Sequence, residues 1–287
     1  MKNKNYLAPI IVIGSHRSGT SMICRFLENT GVFMGIKKES NNESVFFQNL
    51  NHWILNTSSA RWDSPDNIQY LFANKDIFDL TVDYLKHIVN SHHIKSYLGL
   101  YKYLKNRSLT RLTFPWGWKD PRNTYTLPIW LEIFPNAKII HVYRHGIDVA
   151  NSLIKRHNKG VSVAKHLHNK RKYLYNIVKK KGGFVDSILC SNIEDGFNLW
   201  EKYIRKSFEL ENKIHNKFLN IKYEDFLYEP EKHLIKILEF CHLEVDSEKI
   251  KQVCQSVNKN RSLAYKEDKN LVEFSEIVKD RLSKFNY

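Results

Sequence analysis

The first residues with chemical potential lie in Gly14-Ser15-His16-Arg17-Ser18-Gly19-Thr20-Ser21. Two glycines five positions apart, followed by two hydroxyls, bend a backbone so that successive N–H groups face one concavity. A helix that starts there adds the positive end of its dipole. Such a loop holds a phosphate. The spacing copies the Walker A loop, except that the lysine expected after the second glycine is Thr20. Arg17 stands inside the loop instead, where its planar guanidinium offers a two-pronged grip on a phosphate or sulfate oxygen. A second group, Trp116-Gly117-Trp118-Lys119-Asp120-Pro121-Arg122, supplies a further cation in Lys119. Arg144 and, eight residues later, Ser152 are suited to a second phosphate. The missing Walker lysine, and the lack of an apolar strand ending in an isolated acid, argue against a magnesium site. Asp120, between Lys119 and Arg122, reads as an internal ion pair, and no metal is expected.

These residues need a scaffold, and the neighbouring sequence supplies one. Ile10-Ile11-Val12-Ile13 is an unbroken β-branched run of the kind buried on both faces of a parallel sheet. The glycine loop follows, then an amphipathic stretch from Met22 to Asn29 that stops at Gly31. Leu127–Phe134 reads as a helix and Ala137–Tyr143 as a strand, so that Arg144 stands at a strand's carboxyl end, the edge where open α/β sheets hold ligands. Asn198–Ile214 repeats apolar residues at helical spacing, and Glu231–Leu243 starts a helix just after Pro230. Between them, residues 154–190 form a basic, helical insertion that includes Lys179-Lys180-Lys181. An acidic glycan is one partner for it; no signature of specific nucleic-acid binding is present.

At this point the residues resemble a known family, the sulfotransferases that use 3′-phosphoadenosine 5′-phosphosulfate (PAPS). The strand, loop and helix around Arg17-Ser18-Gly19-Thr20 look like that family's 5′-phosphosulfate loop. Arg144 and Ser152 reproduce the spacing of its 3′-phosphate site, and Ile221-Lys222-Tyr223-Glu224-Asp225 with Pro230 is similar to a strand end whose tyrosine lies near the adenine. The likeness is strongest to the bacterial glycan-type and tyrosylprotein-type branches, which carry Arg-Ser-Gly-Thr and a Lys-Asp-Pro segment like Lys119-Asp120-Pro121. The resemblance implies an α/β, three-layer, P-loop-like fold with a central parallel sheet, as one domain over residues 1–287. It implies His16, Arg17, Ser18, Gly19, Thr20, Ser21, Arg144, Ser152, Tyr223 and Arg261 as nucleotide contacts. Arg261 belongs to the basic segment Lys259-Asn260-Arg261-Ser262.

Sulfuryl transfer is an in-line displacement whose charge develops on the bridging oxygen, so positioning and cations do most of the work, with Arg17 and Lys119 as the candidates. The acceptor must also lose a proton to a base. Asn41-Asn42-Glu43-Ser44-Val45-Phe46-Phe47-Gln48 is similar to a segment that ends in Glu in bacterial relatives; here that residue is Gln48, which leaves Glu39 and Glu43 as the nearest carboxylates. The expected acceptor is a hydroxyl, with a carbohydrate or glycan first.

Composition bounds the rest. The chain has 287 residues, a formal charge of +15, and 42% hydrophobic residues, with a mean hydropathy of −0.48. It can bury a core, and no apolar run reaches the ~20 residues of a membrane span. A cytoplasmic enzyme is expected. Cys24, Cys190, Cys241 and Cys254 show no CxxC or zinc spacing. Two other functions fit parts of the pattern: a P-loop kinase for a small molecule, and a non-catalytic polyanion- or nucleotide-binding protein.

Overall fold

The computed structural model describes residues 6–214, 217–258 and 261–287. The chain forms two compact units, one of Met1–Arg144 with Tyr203–Ser262 and one of His145–Lys202 with Leu263–Tyr287. The first unit is organised by four strands: β1 (Ile10–Ile13), β2 (Gly117–Lys119), β3 (Lys138–Tyr143) and β4 (Phe218–Lys222). All pair in parallel, in the spatial order β2-β1-β3-β4. Helices α1 (Thr20–Asn29), α2 (Val45–Thr57), α3 (Ile68–Ala73), α4 (Lys75–Ile88) and α5 (Lys95–Asn106) lie between β1 and β2, and α6 (Asn123–Ile133) joins β2 to β3. Helices α7 (Gly146–Arg171) and α8 (Ile193–Ile214) precede β4. The chain ends through α9 (Tyr223–Tyr228), α10 (Pro230–Phe240), α11 (Ser247–Cys254), α12 (Lys269–Ile277) and α13 (Lys279–Ser283).

The β1 run is buried at every position, as a strand covered on both faces requires. On one face Ile10, Val12, Ile140, Val142 and Ile221 join Phe26 and Leu27 of α1, Phe226 of α9 and Leu234 of α10 in one apolar cluster. On the other face Trp118 of β2 stacks on Phe47 of α2, ring centroids 3.8 Å apart, and meets Trp130 of α6 at 5.3 Å. The result is a helix, sheet and helix sandwich, the α/β architecture expected.

The strand order fixes where a ligand goes. The connection from β1 leads to the strand on one side of it, whereas that from β3 leads to β4 on the other, so the crevice opens outside the carboxyl ends of β1 and β3. Register aligns those ends: Val12 pairs with Lys119, Ile13 with His141, and Tyr143 with Lys222. Each strand thus hands the chain to a motif at one edge, namely the Gly14 loop, Lys119-Asp120, Arg144 and Tyr223.

Some boundaries differ from expectation for local reasons. Helix α1 starts at Thr20 because Gly19, at φ 98°, turns the chain into it. Helix α6 starts at Asn123 and runs through Pro128; the Asp120 carboxylate accepts the Arg122 N–H at 2.9 Å and the Asp120 carbonyl accepts that of Asn123 at 3.0 Å, which nucleates the turn early. In the second unit, the first part of the basic stretch is the far half of α7, followed by a short 3₁₀ turn at Lys172–Asn176 and then by turns and bends. Three adjacent lysines and Gly182-Gly183 oppose further helix there. Within the same unit the Asp148 carboxylate accepts the Tyr265 N–H at 2.8 Å, and Arg281 donates to Asn198 Oδ1 at 2.6 Å.

Candidate active site

The loop after β1 is built by contacts that leave little room for side chains. Gly14 sits at φ 143°, and a Cβ there would lie 2.2 Å from the Val142 carbonyl oxygen of β3. Its N–H donates to Thr124 Oγ1 at 3.2 Å. The Ser18 hydroxyl closes the turn on the Ser15 carbonyl at 2.8 Å, and that of Ser21 donates to the Asn41 carbonyl at 2.6 Å. Helix α1 carries neither a side-chain cap nor an acid in its first turn, so its dipole end is not neutralised from within. Thr20 is buried there. His16 turns inward, its ring 4.6 Å from that of Trp62 and 5.9 Å from that of Tyr203. Arg17 is exposed and has φ 72°, a left-handed backbone that a non-glycine residue adopts at a cost of about 1–3 kcal/mol. Strain of this kind is held where a side chain must be aimed.

Tyr223, buried at the end of β4, forms the wall opposite the loop. A Cβ on Gly19 would fall 2.3 Å from its ring, so the two are in direct contact and only glycine fits. The other side of the ring's surroundings is cationic: the Arg144 guanidinium lies 4.9 Å from its centroid, and Arg144 donates to the Arg261 carbonyl at 2.8 Å. Gly19, Tyr223, Arg144 and Arg261, drawn from four separated stretches, therefore form one chain of contacts. Lys259 and Asn260 lie outside the described residues.

A buried charge cluster stands at the end of β2. Lys119 Nζ lies 3.1 Å from Glu43 Oε1, with both side chains almost wholly buried. Arg122 Nη1 sits 3.5 Å from Glu43 Oε2 and 3.0 Å from Asp120 Oδ1, while Gln48 Nε2 donates to Glu43 Oε2 at 2.7 Å. Burial alone would push Glu43 up, but the Lys119 and Arg122 cations with the Lys119 and Gln48 hydrogen bonds hold its carboxyl below the usual value. Complete burial pushes Asp120 the other way. Asn51 of α2 anchors the cluster, donating to Asp120 Oδ2 at 2.9 Å and accepting from Thr126 Oγ1 at 2.7 Å and Trp130 Nε1 at 2.8 Å. Glu39 is exposed, and only its backbone reaches this loop, its N–H donating to the Glu43 carbonyl at 2.8 Å.

The sequence profile described as the sulfotransferase family matches residues 9–247, from the residue before β1 to the start of α11. The chain belongs to the sulfotransferase family. Membership makes it a transferase of sulfuryl groups. Among solved structures it is similar to the sulfotransferase domain of the Synechococcus PCC 7002 olefin synthase, at 18% identity over 91% of this chain and 84% of that one, with a TM-score of 0.43. The sulfotransferase STF1 of Mycobacterium tuberculosis is similar at 14% identity, over 89% and 72%, with a TM-score of 0.44. A mouse sulfotransferase solved with PAP is similar at 14% identity, over 88% and 64%, with a TM-score of 0.42. No curated protein sequence matches.

Against the positions expected from sequence, the sulfotransferase brings the loop, Tyr223, Arg144 and Arg261 to one edge, and Lys119 to Glu43. Ser152 is half-buried on α7 in the second unit. Two contributors were not singled out as site residues: Arg122 and Asn51. Asn51 follows Gln48 by three positions on α2, a spacing that puts the two side chains on one helix face. Among the described residues no helix is long and apolar enough to cross a membrane, and no group of three or more His, Cys, Asp or Glu side chains is arranged to hold a metal ion.

Proposed function

We propose that this sulfotransferase transfers the sulfuryl group of PAPS to a hydroxyl of a carbohydrate or glycan, acting as one catalytic domain without a metal ion. The observation that carries this reading is the convergence of four strand ends on one edge, with Gly19 against Tyr223 and Tyr223 against Arg144. In it the N–H groups of His16 to Ser21 and the Arg17 guanidinium hold the 5′-phosphosulfate. The Tyr223 ring lies along the adenosine, and Arg144 and Arg261 bind the 3′-phosphate.

Lys119 and Glu43 divide the chemistry. The Lys119 ammonium stabilises the charge that gathers on the bridging oxygen as the sulfur–oxygen bond breaks. The Glu43 carboxylate, ionised throughout the neutral range, orients the acceptor hydroxyl and takes its proton as the new bond to sulfur forms. Glu43 is preferred to Glu39 because it touches the cation, whereas Glu39 points into solvent. Gln48 holds Glu43 in place, so that a carboxylate remains at this point although the expected glutamate is an amide. The carbohydrate preference rests on likeness to the bacterial branch of the family.

Calorimetric titration with 3′-phosphoadenosine 5′-phosphate, beside ATP with magnesium, tests the donor site. Micromolar binding of the bisphosphate, unaffected by EDTA and with no heat from ATP, is expected. A preference for ATP with magnesium would point to a kinase, and silence toward both to a binding protein. Incubation with sulfur-labelled PAPS and a panel of oligosaccharides then tests the acceptor, and label only on tyrosyl peptides would overturn the carbohydrate assignment.

A further inference from the structure

The second unit carries a surface that sulfuryl transfer does not require. Residues 149–185 contain ten Lys or Arg and no Asp or Glu, so 37 residues hold two thirds of the net charge of +15. The near half of α7 is buried through Leu153, but no residue of the helix beyond it is. After α7 the chain displays apolar side chains to water: Tyr173 is 75% exposed, Ile177 84% and Val178 64%, with Leu174 and Phe184 each 55% exposed. Beneath them lies a cavity of about 690 Å³ whose lining pairs Leu174, Val178 and Phe184 with Arg171, Lys179 and Lys181. Lys180 is turned back on the carbonyls of Gly182 and Gly183, at 2.9 and 2.7 Å, which ties the lysine run into a compact turn.

Each half of this pattern excludes a simple explanation. A solvated basic face would not leave Ile177 and Val178 in water, since exposed apolar clusters of this size mark contact surfaces. A polyanion in solution, whether glycan or nucleic acid, would satisfy the cations yet offer nothing to the aliphatic side chains. A lipid bilayer with anionic headgroups satisfies both at once: phosphate attracts the lysines, and the acyl boundary removes Tyr173, Leu174, Ile177, Val178 and Phe184 from water. We propose that residues 163–189 of the second unit dock this enzyme onto a bilayer surface rich in anionic phospholipid. The proposal concerns that surface alone and holds whatever the acceptor is.

Sedimentation of the full-length protein with phosphatidylcholine vesicles, with and without phosphatidylglycerol, tests it. Partitioning into the anionic vesicles is expected, weakened by added salt. The triple variant Lys179→Gln, Lys180→Gln, Lys181→Gln should lower it on the order of 100-fold, at roughly fivefold per charge. The double variant Ile177→Ser, Val178→Ser should lower it about tenfold or more, while its retention on immobilised heparin matches that of the wild type. Unchanged titration with 3′-phosphoadenosine 5′-phosphate checks that each variant is folded. If the wild type stays in the supernatant when anionic vesicles are sedimented at low salt, no docking surface exists. If the double variant sediments as the wild type does, the segment is a polyanion contact and the bilayer is not its partner.

Discussion

Glu43 is the residue on which the proposed chemistry turns, because its charge is both protected and constrained. Lys119 and Arg122 stabilise the carboxylate, and Gln48 fixes one of its oxygens. Glu43→Gln should reduce kcat by about 10²–10⁴-fold while leaving affinity for 3′-phosphoadenosine 5′-phosphate within a small factor; equal loss of both would assign Glu43 to structure alone. Gln48→Glu places a second carboxyl at hydrogen-bond distance from the first, which raises the proton affinity of one of the pair. The acid limb of the kcat/KM pH profile should therefore move toward neutrality. A carboxyl whose pKa is lowered by folding stabilises the fold above the unfolded value of about 4.5 and loses that contribution as pH falls through the folded value. Wild-type stability should accordingly fall on acidification below about pH 4.5, with a shallower fall in Glu43→Gln, as denaturant titration at several pH values would show. Lys119→Met removes one partner of a buried pair and should cost about 3–5 kcal/mol in the same assay.

Strand ends and the turns after them decide how well these groups are aimed. Gly14 and Gly19 are forced by backbone and ring contacts, at 2.2 Å to a carbonyl oxygen and 2.3 Å to Tyr223. Gly19→Ala should abolish nucleotide binding and lower Tm. Tyr223→Ala in the same chain relieves the clash but not the strain of φ 98°, so Tm should recover only in part. Arg17→Ala should weaken 3′-phosphoadenosine 5′-phosphate binding roughly ten- to hundredfold, as calorimetry would read, since each charged hydrogen bond contributes about 1.5–3 kcal/mol. This layer of the protein was legible in the sequence because its signals are local: a β-branched run, paired glycines, a cation at a strand end. The Glu43 cluster was harder to read. Glu39 and Glu43 are both loop carboxylates between α1 and Gln48 in the chain, and only the fold, by closing the loop between Lys38 and Ser44, turns one inward and leaves the other in solvent. Asn51 was invisible for the same reason, since its partners lie 69 to 79 positions away.

Across the whole molecule, charge and order are distributed unevenly, and the two should respond differently to ligand. The parallel sheet is buried on both faces, and its hydrogen bonds can break only by opening of the first unit, so β1 and β3 should hold the slowest-exchanging amides. Residues 172–190 combine short turns with many exposed side chains and should exchange fastest. The sequence announced that segment by its lysines, but not the aliphatic residues it shows to water, because Leu174, Ile177 and Val178 carry the same apolar signal whether a core covers them or not. Hydrogen exchange separates the two roles assigned to the chain. Addition of 3′-phosphoadenosine 5′-phosphate should slow exchange in the Gly14–Ser21 loop and around Tyr223, where bound phosphates and adenosine satisfy or cover backbone groups, and leave 172–190 unchanged. Anionic vesicles should do the converse. Protection of 172–190 by the nucleotide would make that stretch part of the nucleotide site, and its charge would then belong to catalysis and not to a surface contact.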